Sequence, residues 1–149
     1  MNKIMKIWQT PIENQKENVD MLMRTNEITQ PYGLTLTREM ALALLEDRNE
    51  ILEKYGRIEI DCSIMEKIIR QFCDSPHIQQ EDYEEVIETL VEIFHYMKSE
   101  LEDSITDDDL IIFLKDSYDG ICEGSLDLLG EREAYKFIEK YRRGHWYEV

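Results

Sequence analysis

Apolar residues recur at helical spacing along nearly the whole chain. The clearest stretch lies between Thr37 and Gly56, where apolar side chains return every three, four or seven positions: Met40, Ala41, Leu44, Leu45, Ile51, Leu52 and Tyr55. This spacing puts them on one face of an α-helix. Thr37 is a suitable N-cap, and a glycine such as Gly56 commonly follows the end of a helix. The pattern therefore predicts an amphipathic helix between these two residues.

The same periodicity predicts helices on both sides of this one. A first helix contains Val19 and Ile28 and ends near Gln30, because Pro31 and Gly33 follow. Later helices are predicted from 63 (capped by Asp61 or Ser63) to 72, from 83 to 101, from 107 (capped by Thr106) to about 118, and from 134 to 141, with a short turn capped by Ser125 before the last.

These elements predict a mainly α protein, a compact bundle of about six helices in a single domain spanning residues 1–149. The runs 33–36 and 56–60 alternate in polarity and could pair as a short two-stranded ribbon. Residues 1–14 show no clear periodicity and are set aside as a poorly ordered tail.

Negative charge is concentrated in one part of the chain. The formal net charge is −16. Residues 74–133 carry 19 acidic and three basic side chains, whereas the rest of the chain is balanced. Such a segment repels phosphate backbones and anionic lipid, so direct binding to nucleic acid or to a membrane surface is not expected. A basic partner would be attracted to it.

The cysteines and the absence of targeting signals predict a cytoplasmic protein. Cys62, Cys73 and Cys122 are odd in number and widely spaced, which fits buried thiols in a reducing compartment better than a disulfide framework. The first residues contain no apolar run of signal-peptide length, and the longest apolar stretch, 110–114, is too short to span a bilayer.

The stretch FCDSPHI at 72–78 brings a thiol, a carboxylate, a hydroxyl and an imidazole together in six positions. Cys73 and His77 could belong to a zinc site, but no second pair of ligands follows. Neither an orienting group nor an oxyanion hole is evident for a nucleophile and base. Since Pro76 disfavours helical geometry at Ser75, and Asp74 and Ser75 favour turns, the stretch is interpreted as a turn between helices.

A second candidate lies on the long acidic helix, where Glu92 and His95 form a Glu-X-X-His pattern in line with Glu84 and Glu88. Di-iron bundles use two such motifs with two further glutamates directed into the bundle core. This chain has one copy, on the side opposite Phe94, so the stripe is expected to face water. A metal site at Glu88, Glu92 and His95 is therefore a disfavoured alternative.

Other enzymatic motifs are absent from the sequence. Aligning Asp119 and Gly120 with a calcium-binding loop puts Lys115 at its first position and Leu126 at its twelfth, where a bidentate acid is required. No glycine-rich phosphate loop, Gly-X-Ser-X-Gly elbow or His-Glu-X-X-His motif occurs. No cofactor is predicted, and an enzyme is not favoured.

Several motifs resemble an uncharacterised family of small helical proteins, a domain of unknown function found in Gram-positive anaerobic bacteria. They include NEITQPYGLTLT (26–37), GRIEI (56–60), FCDSPHI (72–78), FHYMKSE (94–100), DDLIIFLKDSYDG (108–120) and GSLDLL (124–129). The similarity covers about residues 20–130. It implies that FCDSPHI and the segment 115–120 belong to a recurrent pattern, and it implies no activity, cofactor or catalytic residue.

The function that best fits these observations is a cytosolic helical module that binds another protein in regulation or assembly, with a basic protein as one option for the partner. The candidate binding residues are Cys73, Asp74, Ser75 and His77, together with Trp146 and Tyr147 near the C-terminus. Trp and Tyr are enriched at the centres of protein interfaces. Two alternatives are an acidic mimic of nucleic-acid charge and a metal-dependent enzyme that uses Glu88, Glu92 and His95.

Overall fold

The computed structural model describes residues 12–147, with side chains described from 15 to 144. The helices are α1 (Ile12–Arg24), α2 (Asn26–Thr29), α3 (Arg38–Lys54), α4 (Ser63–Phe72), α5 (Tyr83–Glu100), α6 (Asp107–Asp119), α7 (Leu126–Leu128) and α8 (Ala134–Tyr147). Short 3-10 turns occupy Gln30–Tyr32 and Gln80–Asp82, and a π-helical turn occupies Leu129–Glu133. The predicted mainly α bundle is confirmed.

The helices begin where local sequence satisfies their first N–H groups. Side-chain oxygens of Thr37, Thr106 and Ser125 each accept a hydrogen bond from the backbone N–H three residues further on, at 3.1, 3.1 and 3.2 Å. At the start of α4, the carboxylate of Asp61 accepts from the N–H of Ser63 at 3.1 Å. These four caps satisfy donors that a helix start otherwise leaves open.

Helix α5 is the centre of the bundle and packs against α3, α4, α6 and α8. Its inward side chains are almost wholly buried, among them Ile87, Leu90, Phe94 and Met97. The other helices contribute their apolar stripes to the same core, since each is apolar on one face only. Within residues 12–147, no helix is long and apolar enough to cross a membrane.

The possible ribbon between 33–36 and 56–60 is not present, because residues 12–147 contain no strand. Side chains satisfy the backbone of the first run instead. Asn26 donates to the carbonyl of Leu36 and accepts from its N–H, and Gln80 makes the same pair of bonds with Thr35. This backbone therefore has side-chain partners in place of a second strand.

Three boundaries differ from the sequence prediction. Of the tail 1–14, residues 12–14 lie in α1, and the rest is outside the described residues. The first helix is interrupted at Thr25, whose hydroxyl donates to the carbonyl of Leu22. The predicted short turn continues through the π-helical segment directly into α8. Periodicity did not indicate that segment, which widens the helix by one residue per turn.

Candidate functional site

A buried cluster of charged groups lies between α3, α5 and the segment that joins α3 to α4. Arg48 supplies its positive charge, and α3 directs this side chain to the same face as the buried Leu44 and Leu45. Its Nη1 donates to the carbonyl of Asp61 at 2.7 Å and lies 3.4 Å from Oε1 of Glu59. Since a buried arginine needs partners, these contacts hold the joining segment against α3.

His95 of α5 completes the cluster. Its side chain is 2% exposed, and its Nε2 lies 3.8 Å from Oε2 of Glu59. Among the described residues, neither ring nitrogen of His95 has a hydrogen-bond partner, and the same is true of Nε of Arg48. Buried polar atoms are seldom left unpaired, so this cluster is polar, tightly enclosed and incompletely satisfied.

Burial shifts both titrating groups toward their neutral forms. It raises the pKa of Glu59 to about 7, although the positive charge of Arg48 opposes the rise. It lowers the pKa of His95 to about 4, and the charges of Arg57 and Arg48 act in the same direction. Near neutral pH, His95 is therefore uncharged and Glu59 is close to half-ionised.

The joining segment, residues 57–61, is anchored at alternate positions. Glu59 points inward to Arg48, and Arg57 forms a two-pronged ion pair with Asp103, at 3.1 and 2.7 Å. The residues between these anchors point outward: Ile58 is 69% exposed and Ile60 is 93% exposed. We call Ile58 and Ile60 the isoleucine pair. Two large aliphatic side chains are thus held in water by a segment with charged anchors, of which Glu59 belongs to the buried cluster.

A separate network, centred on Lys98, fixes the loop between α5 and α6. Nζ of Lys98, at the end of α5, lies 2.7 Å from the carboxylate of Asp107 and donates to the carbonyl of Ile105 at 2.7 Å. It also lies 3.7 Å from Asp103, the partner of Arg57. Asp103 has a φ of +60°, a left-handed conformation that is costly for an aspartate. The network therefore fixes the loop that receives Arg57.

FCDSPHI forms a turn that docks onto the end of α6. The hydroxyl of Ser75 donates to Oδ1 of Asp119 at 2.6 Å and accepts from the N–H of His77 at 3.2 Å. Asp74 pairs with Lys115 at 2.7 Å, and Lys115 also lies 3.3 Å from Asp119. Hydrogen bonds to both carboxylates raise the pKa of Lys115 against the effect of burial, so Lys115 stays protonated and is no base for Ser75.

The remaining members of this motif make packing contacts. Cys73 is buried, and its thiol lies 3.3 Å from the carbonyl of Arg70. The ring of His77 meets that of Tyr118 edge-on, with centroids 6.0 Å apart, and lies against Gly124. The contacts of Cys73, Asp74, Ser75 and His77 are thus internal ones, and a binding role for them stays a prediction.

The predicted metal ligands on α5 take part in separate contacts. Glu92 pairs with Lys54 at 2.7 Å, and burial together with a hydrogen bond to Asp47 raises the pKa of Glu88 to about 7. His95 does not face water, as the sequence had suggested, but lies inside, beside Glu59. Within the described part of the chain, no three His, Cys, Asp or Glu side chains form a group that could hold a metal ion. The side chains of Trp146 and Tyr147 lie outside the described residues.

Sequence reasoning missed Arg48, Glu59 and the isoleucine pair. One signal was available: Arg48 occupies a core position of the α3 stripe, between Leu44 or Leu45 and Ile51 or Leu52. A charged residue on an apolar face needs a buried partner. The inward direction of Glu59 had no such signal, because the alternation in Ile58-Glu59-Ile60 fits an inward isoleucine pair equally well.

The cluster predicts opposite pH dependences for two single variants. Between pH 4 and 6.5, an unfolded histidine binds protons that folded His95 does not, so this group makes stability rise with pH. Between pH 4.5 and 7, folded Glu59 holds a proton that the unfolded chain has lost, so this group makes stability fall. In the wild-type protein the two effects oppose each other.

The reference is the double variant His95→Gln/Glu59→Gln, in which neither group titrates. Relative to it, His95→Gln should become less stable as the pH rises, because Glu59 still titrates. Glu59→Gln should become more stable as the pH rises, because His95 still titrates. Each slope is at most about 1.4 kcal/mol per pH unit. Urea unfolding at a series of pH values measures both. Comparison with the double variant removes the contribution of other groups, such as Glu88. Identical slopes for all the variants would contradict the prediction.

Comparison with known protein families finds a match over most of the chain. Residues 21–147 match the sequence profile described as Family of unknown function (DUF6323). No curated protein and no solved structure matches. The bacterial source suggested by the motifs stays a prediction.

Proposed function

The chain belongs to the family of unknown function DUF6323, and because that membership brings no activity, we propose from the geometry that the protein is a binding module for another protein. The observation that carries the proposal is the isoleucine pair, exposed at 69% and 93% on an anchored segment. Binding is assigned to this surface.

The energetics of this segment support binding. Burying an isoleucine side chain contributes about 1.5–3 kcal/mol, so the pair offers several kcal/mol to a partner that covers it. The ion pairs of Glu59 and Arg57 already fix the backbone on either side of Ile58. Binding therefore costs little further ordering of this segment, which is the advantage of a preorganised contact.

The partner is expected to present an apolar pocket with basic residues around it. Asp61, Glu102 and Asp103 lie on or beside the anchored segment, and Asp103 is 55% exposed even with its ion pairs. Carboxylates at the edge of an apolar contact favour a positively charged partner and speed association. A cytosolic setting is part of the proposal, because the three cysteines are free and buried.

The double variant Ile58→Ser/Ile60→Ser tests this proposal. We expect wild-type protein immobilised at moderate salt to capture a stoichiometric partner from its native cytosol, and the double variant to lose at least about 90% of it, the loss expected when two buried anchors are removed. Ile112→Ser is the control, since Ile112 is 48% exposed on α6. Mass spectrometry identifies the partner, and circular dichroism checks folding.

The same experiment separates the alternatives. A different outcome is that the double variant captures as much partner as wild-type protein at low salt, and that both lose it at moderate salt. That result would reject the isoleucine pair and favour the acidic segment as a mimic of nucleic-acid charge. Self-association of wild-type protein that the double variant abolishes would identify the partner as a second copy of this chain. Sedimentation of both proteins measures it.

A further inference from the structure

A groove of about 370 Å³ lies on another side of α5, between this helix and the segment that runs from α7 into the π-helical turn. Ile93 and Leu126 form its apolar base. At Gly130 an added Cβ would lie 3.2 Å from Cδ1 of Ile93, so the backbone of the π-helical turn approaches α5 closely there. The groove is within the size range of ligand sites in proteins.

The lining of the groove combines carboxylates with tyrosine rings. Glu92, Asp127 and Glu131 supply the carboxylates, and Asp127 and Glu131 are exposed. Tyr55 and Tyr96 supply the rings and are half-buried. Carboxylates pair with an ammonium group, and the face of a tyrosine ring attracts it as well. Among the residues that the structure describes, no basic side chain lines the groove itself.

An ammonium group of this chain already lies at the edge of the groove. Nζ of Lys54 is 2.7 Å from the carboxylate of Glu92 and 5.3 Å from the centroid of the Tyr55 ring. The side chain of Lys54 is 60% exposed. An exposed ion pair of this kind contributes little to stability, so a competing ammonium group can displace it.

We propose that this groove binds a lysine side chain from a basic segment of a partner protein, and that Lys54 occupies the ammonium position until the partner displaces it. We assign a lysine as the occupant because carboxylates line the groove, and because the ammonium group of Lys54 already pairs with Glu92 and lies over the ring of Tyr55. The inference shares with the proposed function only the idea of a protein partner. Its test uses a peptide and does not involve the isoleucine pair.

The probe is a short fluorescein-labelled peptide of alternating lysine and alanine, and binding is measured by fluorescence anisotropy at moderate salt. Lys54→Gln should bind it about three- to tenfold more tightly than Lys140→Gln, the range expected from an ion pair and a cation–π contact. Both variants lose one positive charge, and Lys140 is exposed on α8. Equal affinities would overturn the proposal.

A second pair of variants removes two carboxylates each. Asp127→Asn/Glu131→Gln should weaken peptide binding, whereas Glu81→Gln/Glu85→Gln should change it much less, because Glu81 and Glu85 are exposed outside the groove. Equal weakening by the two pairs would show that the peptide responds to net charge alone, and that result would also overturn the proposal.

Displacement of Lys54 can be observed directly by NMR. Nζ of Lys54 lies 5.3 Å from the centroid of the Tyr55 ring, so we expect the ring current to shift the resonance of the adjacent Hε protons. Addition of the peptide should return it toward the position of an exposed lysine, with Lys140 as an internal reference. A Lys54 resonance that stays unchanged at saturation would contradict displacement.

Discussion

Replacing Arg48 with Met should lower the free energy of unfolding by about 3–5 kcal/mol, the cost of removing one partner from a buried ion pair. Methionine keeps most of the aliphatic stem and lacks the guanidinium group, so the loss combines the missing charge, its hydrogen bonds and the buried space that this group fills. Glu59, whose side chain is 15% exposed, would lose its cation, and the carbonyl of Asp61 would lose its donor.

Urea or thermal unfolding measures this loss. Arg38→Met is the matched control, because Arg38 pairs with Asp20 on the surface with side chains 57% and 41% exposed. Such a pair contributes at most about 1 kcal/mol. The double variant Arg48→Met/Glu59→Leu should recover part of the stability, since no buried charge is left alone. A single variant as stable as Arg38→Met would contradict the importance of this cluster.

Replacing Gly124 with Ala should destabilise the protein by about 2–5 kcal/mol, from two separate causes. Gly124 has a φ of +83°, where an alanine costs about 1–2 kcal/mol. The new Cβ would also lie 2.5 Å from Cβ of His77, and relieving such a contact costs about 1–3 kcal/mol. The turn containing His77 would have to move away from α6.

Two further variants separate these causes in thermal or urea unfolding. Gly33 has nearly the same φ, +82°, with nothing within 4 Å of an added Cβ, so Gly33→Ala should show the backbone cost alone. In a His77→Gly background, which removes the contacting Cβ, the substitution at Gly124 should cost less than in wild-type protein. If Gly124→Ala and Gly33→Ala were equally destabilising, the close packing of His77 would have no energetic consequence.

The helices could be predicted from sequence because their signals are local. The cap residues Thr37, Thr106 and Ser125 act on N–H groups three positions away, and the apolar stripes follow the period of the helix itself. The break at Thr25 depends on a hydrogen bond from its hydroxyl to the carbonyl of Leu22, and the π-helical turn lies close to Ile93 of α5. Neither contact follows from hydrophobic periodicity, so the pattern of apolar positions indicates neither irregularity.

The candidate site was far less predictable, because its contacts join residues distant in sequence. Arg48 meets Glu59 11 positions away, and Ser75 meets Asp119 44 positions away. The residue types in FCDSPHI indicated that turn as a candidate site and gave no indication of its partners. His95 was assigned to a solvent-facing stripe from its neighbours Glu88 and Glu92, but the inward Glu59 extends the buried side of α5 to include it.

The anchored segment also determines how a protease would encounter this protein. Exposed loops are usually the sites of first cleavage, because they can unfold locally into the extended conformation that a protease requires. Here the side chains of Ile58 and Ile60 are accessible, but the segment that carries them is tied to α3 by Arg48 and to the loop after α5 by Arg57. Cleavage at this point must wait for the charged cluster to open, so its rate reports the population of that opened state.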